Sequence, residues 1–257
     1  MYSEAKEKLT AFIKLNFDLG DDKINHKLNH TFYVVDNADY ISTKLGLDSE
    51  NIELAKVIAL LHDFGRFYEA RYFKSFREDL NNMDHATLGA ELLFDENLIR
   101  QFIEDDKYDD IIKIAIANHS KYIFDITGMN DEQILHSKII RDADKLDSFR
   151  AKSVENIYTM ANITEEDIEN SVVSDNIYND FMNEKTILSK DRKTGLDIWV
   201  SYIAFIFGLY YDVSLKFIKD NNYINILVNR FNYKNEFAQK QMLEIRNKAN
   251  SYLDKAN

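Results

Sequence analysis

Ile58-Ala59-Leu60-Leu61-His62-Asp63-Phe64-Gly65-Arg66 is the stretch that decides how this chain is read. From Ile52 to Leu61 apolar residues fall on nearly every face of a helix, the pattern of a helix buried in a bundle rather than lying on a surface. The run stops at His62 and Asp63, and Gly65, two positions on, reads as a helix terminator. Both polar residues are therefore expected in the last turn, where free carbonyl groups carry partial negative charge and favour a cation. A lone buried His-Asp pair at a helix end is more often a satisfied structural pair than a ligand set. The rest of the chain has to decide between them.

Composition narrows the choice. At 257 residues the chain is long enough for one large domain, or a domain with an extension, without a disulfide or metal staple. It has no cysteine, so thiolate metal sites are excluded and any metal is held by nitrogen and oxygen. Proline is absent and there are only seven glycines, so little interrupts helices and an all-α fold is expected. A net charge of -12 repels polyanions and excludes bulk nucleic-acid binding, while a small phosphorylated ligand is admitted wherever cations are focused. Met1 to Phe17 is amphipathic and lacks the apolar block of a secretion signal. Ile198 to Tyr211, the most apolar stretch, suits a buried core helix better than a membrane span. A soluble, cytoplasmic protein without a membrane partner is expected, of an oligomeric state the sequence does not reveal.

Outward from the opening stretch, Asp18 to Asn25 reads as a loop, and a helix beginning near His26 carries Val34, Val35, Ala38, Ile41 and Leu45 on one stripe. His30 borders that buried face, and His26 is expected toward solvent. Ser49 or Asp48 caps the helix that ends at His62. Phe64 to Asp84, with Arg66, Arg71, Lys74 and Arg77 among aromatics, reads as a loop over the site. Asp84 caps a helix bearing His85 and Gly89, the glycine leaving room for a neighbour or an ion. Ile111 to His119 is a second strongly buried helix that ends in a histidine. In the helix from Asp131 to Ser148, Asp144 lies one turn from Ile140 and shares its buried side, whereas Asp142 is rotated away. Leaving Asp144 buried and unpaired would be costly, and a metal is an economical partner. Residues 152 to 183 are acidic and read as short surface helices. The cations Lys185, Lys190, Arg192 and Lys193 follow, then the aromatic core helix around Trp199. That basic cluster is expected to reach the site in part.

In chain order the ligand-type residues on buried faces or ends are His30, His62, Asp63, His85, His119 and Asp144. This order, with an adjacent His and Asp second, resembles the HD superfamily of metal-dependent phosphohydrolases over roughly His26 to Arg150. Leu61 to Arg66 resembles the family's helix end, Asp84 to Leu93 its extra histidine helix, and Asp142 to Asp147 its closing Asp motif. The resemblance implies an HD-domain helical bundle at residues 1-150 and a C-terminal helical extension at 151-257 packed on it. It further implies that His30, His62, Asp63 and Asp144 hold one divalent ion, while His85 and His119 join Asp63, as bridge, around a second. Asp142 and Asp147 are left as supporting groups behind the ligands.

Such ligands suit Mn, Fe, Co, Ni or Zn, with Mg admitted at one position. A water on such ions has its pKa lowered from about 15.7 toward about 7, which makes a nucleophile for phosphorus. Asp63, Arg66 and Lys145 are the candidate catalytic residues, the two cations as phosphate contacts. Lys121 and Arg71 read rather as ordinary surface cations. Without proline the Gly-Tyr-Pro signature of cyclic-di-GMP phosphodiesterases is missing. Phe64 to Phe67 differs from the acidic pair of guanosine tetraphosphate hydrolases and from the His-rich continuation of deoxynucleotide triphosphohydrolases. The His85 and His119 helices look most like small bacterial enzymes that hydrolyse nucleotides or dinucleoside polyphosphates, so a small, nucleotide-like phosphorylated substrate is expected. Two other functions use the same ligands: a di-iron oxygenase, and a non-catalytic module whose metal stabilises a binding surface.

Overall fold

A computed structural model of the chain describes residues 1–74, 76 and 84–255, and among them every regular element is a helix. The chain divides into two compact units, Met1–Asp147 and Ser148–Asn257. The first unit contains α1 (Tyr2–Asn16), α2 (Asp22–Lys44), α3 (Ser49–Leu61), α4 (Phe64–Phe73), α5 (His85–Ala90), α6 (Asp109–Asn118) and most of α7 (Asp131–Val154). A π-type turn, Glu91–Asp95, prolongs α5.

Local chemistry sets these boundaries. Asp21 accepts from the Lys23 amide and starts α2 at Asp22, a turn earlier than the stretch from Asp18 to Asn25 suggests. Asp48 accepts from the Asn51 amide and opens α3. Leu54, Ala55 and the whole run Val57 to Leu61 are buried in α3, which packs along α2 and also touches α1 and α6. Each such Leu or Ile withdrawn from water contributes about 1.5–3 kcal/mol, so this helix anchors the unit.

The structure corrects the reading of the segment that follows. Phe64–Phe73 is a helix, not a loop, and Gly65 lies in its first turn rather than ending the previous one. A Cβ on Gly65 would stand 2.2 Å from the His85 carbonyl oxygen, and one on Gly89 would stand 3.1 Å from the Gly65 nitrogen. The two glycines let the backbones of α4 and α5 touch. The space at Gly89 is thus filled by the neighbouring helix and not by an ion. Arg77, counted among the loop cations, lies outside the described residues.

In the second unit short helices (Ile157–Ala161, Glu165–Glu169, Asp175–Met182, Gly195–Ile203, Asp212–Asp220, Tyr223–Val228) accompany the longer Glu236–Leu253. Trp199 is fully buried, its indole N–H donates to the Leu227 carbonyl at 3.1 Å, and its ring meets Phe231 edge-on. The aromatic stretch from Ile198 to Tyr211 is not one helix. Its α-helical part ends at Ile203, a 3-10 turn covers Ala204–Gly208, and the backbone is extended at Leu209. At Gly208 a Cβ would come within 2.8 Å of Thr186, so the chain is pinned there against a neighbour. Of the basic cluster, Lys185 pairs with Asp180 at 3.2 Å and Arg192 donates to the Ser189 carbonyl and the Ser201 hydroxyl, all within this unit. No helix among the described residues is long and apolar enough to cross a membrane.

Candidate metal centre

Four helix ends and two helix faces bring the ligand-type residues together. His62 and Asp63 occupy the two-residue break between α3 and α4, where the helical backbone is interrupted. His119 follows the last residue of α6, His85 opens α5, His30 sits mid-way along α2, and Asp144 lies on α7. His62, Asp63, His85, His119 and His30 are all buried, while the Asp144 side chain keeps a quarter of its surface.

The Asp63 carboxylate is the hub. Its Oδ2 lies 3.4 Å from His30 Nε2 and 3.6 Å from His62 Nε2. Asp144 Oδ1 closes that group, 3.3 Å from His30 Nε2 and 3.9 Å from His62 Nε2. The other oxygen, Oδ1, lies 3.2 Å from His85 Nε2 and 3.5 Å from His119 Nε2, and those two nitrogens are 3.0 Å apart. Ligands about 2.0–2.2 Å from a metal ion stand roughly 3–3.5 Å from one another, so both groups have the dimensions of a coordination shell. Two trios, His30 with His62 and Asp144, and His62 with Asp63 and His119, are each tight enough to hold an ion.

The surroundings aim these atoms. His62 Nδ1 donates to the Ala59 carbonyl at 2.7 Å and His119 Nδ1 to the Ile116 carbonyl at 2.7 Å, which directs each Nε2 lone pair inward. His30 Nδ1 is held by Asp147 Oδ2 at 2.6 Å, so Asp147, fully buried, stands behind the His30 ring. The Nε2 atoms of His30 and His62 are buried without a hydrogen-bond partner. Orphaned nitrogens facing carboxylates are what an ion-binding site presents, and on this observation the residues fit a divalent metal.

Electrostatics say the same. Burial and nearby Lys27 oppose a proton on His30, yet the carboxylates of Asp144, Asp147 and Asp63 outweigh them and raise its pKa to about 10. Burial lowers His62 to about 3 and also lowers His119. Burial resists ionising Asp63 and Asp144, but Lys27 and the histidines hold Asp63 far below the usual carboxylate range, and Lys145 and His30 do so for Asp144. The cluster is a negative pocket that calls for positive charge.

Of the proposed phosphate contacts, Lys145 Nζ is 3.5 Å from Asp144 Oδ2 and largely buried. Arg66 stands 4.0 Å from Asp63 Oδ1 and is gripped at 2.5 Å by the fully buried Glu69. Lys121 pairs with Asp84 and Arg71 leans on the Phe17 and Tyr72 rings, so both serve elsewhere. Two readings are corrected. Asp142 is fully buried instead of rotated to the outside, because α7 is covered on more than the Ile140 side. His26 is half-buried and stacks on His30, with 6.4 Å between ring centroids. Sequence reasoning missed Lys27, whose Nζ lies 2.7 Å from Asp63 Oδ2. Its position one turn before His30, on the same helix face, was the available signal.

An all-helical unit whose buried histidines and aspartates gather around one shared carboxylate is a metal-site bundle. Residues 28–148 match the family model of the HD domain, and this part of the chain is an all-α HD bundle. HD domains bind divalent metals and form a metal-dependent superfamily of hydrolase type. Among curated proteins and among solved structures none matches the chain.

Proposed function

We propose that the chain is a metal-dependent phosphohydrolase acting on a phosphoester or phosphoanhydride of a small, nucleotide-like molecule. The observation that supports this most is the division of labour on Asp63, with Oδ2 turned to His30 and His62 and Oδ1 turned to His85 and His119. A carboxylate so placed suits a bridge between two divalent ions, with Asp144 completing one set. Bound ions of this kind acidify a water for attack and absorb charge on phosphoryl oxygens. The protein's own part is to hold those ligands before substrate arrives. Ala59, Ile116 and Asp147 fix three imidazoles through Nδ1, so no reorganisation is spent on them. Lys27, Arg66 and Lys145 bring positive charge to the edge of the cluster, where a phosphoryl group would be oriented.

Hydrolysis of bis(p-nitrophenyl) phosphate with Mn, Ni or Mg added tests the reading. Nitrophenolate release that depends on metal, stops with chelator and is lost in Asp63→Ala with helicity retained is expected. Turnover that survives Asp63→Ala would overturn it. Absence of turnover with every metal, accompanied by bound iron and oxygen uptake, would move the assignment to the oxygenase.

A further inference from the structure

Beyond the ligands, α2 carries a row of positive charge toward its N-terminus. Lys23 and Lys27 supply it, and they share one face with the ligand-type residue His30, at spacings of four and three. Lys27 Nζ is 2.7 Å from Asp63 Oδ2 and 5.3 Å from the centre of the Phe76 ring. Lys23 Nζ is 5.7 Å from that same ring, and so is the Arg66 guanidinium carbon, whose Nη1 also donates to the Phe76 carbonyl at 3.3 Å. Three cationic heads from two helices thus converge on one ring beside the bridging carboxylate. Lys23 has no ion-pair partner among the described residues: of the two acids that precede it, Asp22 pairs with nothing among those residues and Asp21 is taken by Lys74 at 2.7 Å. In a chain with 44 acidic residues against 32 basic ones, a lysine that meets no carboxylate among the described residues and stands next to two other cations is placed for an anion from outside.

We infer that Lys23 extends the cation group of Lys27 and Arg66 into a second anion subsite beside the metal centre, which takes a phosphoryl group next to the reacting one. The substrate is then an oligophosphate ester or a phosphoanhydride rather than a simple monophosphate. This rests on the phosphohydrolase reading for its biological sense, but its binding test does not.

The test is calorimetric titration of the full chain with inorganic tripolyphosphate and, separately, with orthophosphate, under one fixed Mn excess. Chelation of free metal is common to all chains compared and cancels. Tripolyphosphate is expected to bind at least about tenfold more tightly than orthophosphate to the unaltered protein, and Lys23→Met to lose about tenfold for tripolyphosphate and less than about twofold for orthophosphate. Lys23→Arg restores the difference. Lys44→Met removes the same charge at the far end of α2, roughly 30 Å away, and leaves both affinities unchanged. Equal tripolyphosphate affinity in Lys23→Met, or equal losses in Lys23→Met and Lys44→Met, would overturn the subsite. If that result came with aryl phosphodiester hydrolysis intact, the subsite alone falls. Lys23-dependent tripolyphosphate binding without any hydrolysis would instead retain the subsite and remove the phosphohydrolase reading.

Discussion

His30 is held by carboxylates at both ring nitrogens, and the two contacts differ in kind. Asp147 grips Nδ1 at 2.6 Å with hydrogen-bond geometry, whereas Nε2 faces Asp63 and Asp144 without it. Asp147→Asn keeps the shape and removes the charge behind the imidazole, so metal affinity should fall about 10–100-fold with the fold intact, as outer-sphere losses do; a metal titration against unaltered protein checks this, and unchanged affinity would contradict it. The six residues that the structure gathers around Asp63 and Asp144 stood out in the sequence because His and Asp are rare on apolar helix faces and ends. Lys27 was not, because a lysine one turn from a buried stripe is ordinary until its partner on another helix is known. Asp142 was misplaced because a single apolar neighbour, Ile140, defines one side of a helix, and α7 is buried on several.

At the scale of elements, the centre depends on α4 and α5 touching backbone to backbone. Gly65→Ala would drive a methyl group into the His85 carbonyl at 2.2 Å and push the His85 ligand away from Asp63. A loss of about 3 kcal/mol or more is expected in urea denaturation, with weakened metal binding. Gly89→Ala, whose nearest contact is 3.1 Å, should cost less, and a reversed order would refute the packing argument. A second link between elements joins α7 to α3 through His136, whose Nε2 meets Asn51 Oδ1 at 3.0 Å. Burial lowers the His136 pKa to about 4 from 6.5, so the ring is neutral in the folded chain. Unfolding frees a group that takes up a proton below its ordinary value. The stability this represents is full above about pH 6.5 and declines toward pH 4, by up to about 3 kcal/mol. His136→Gln should flatten that part of the stability profile, and parallel profiles for the two chains would exclude it. Helix content was readable from apolar periodicity, and so were the caps Asp48 and Asp84, whereas Asp21, Asn156, Thr164, Thr194 and Asn235 were not picked out. The helix Phe64–Phe73 was not, since Gly65 is a terminator by local rules and only the distant α5 explains why it stands in a first turn.

Over the whole molecule, 12 excess negative charges coexist with a small group of cations gathered at one negative pocket. Long-range repulsion of polyanions together with local attraction of a small phosphate follows from that distribution. The protein should pass unretained through heparin at about 0.15 M salt, where screening reaches roughly 8 Å, and retention there would argue for a basic surface the charge count conceals. The all-helical character followed from absent proline and few glycines, and the six candidate ligand residues come together because each lies at a helix end or on a helix face turned to the cluster. A boundary is expected from the sequence between residues 150 and 151, and the compact units divide between Asp147 and Ser148, both within α7, which runs through without a break in helical pattern. The most direct test of the centre is metal content per chain, by elemental analysis of protein purified without chelator, for the unaltered chain, His119→Ala and Asp63→Asn. Two ions in the first, about one in the second and fewer than one in the third are expected if Asp63 bridges two sites. A single ion in the unaltered chain, or two ions retained in Asp63→Asn, would contradict the bridge.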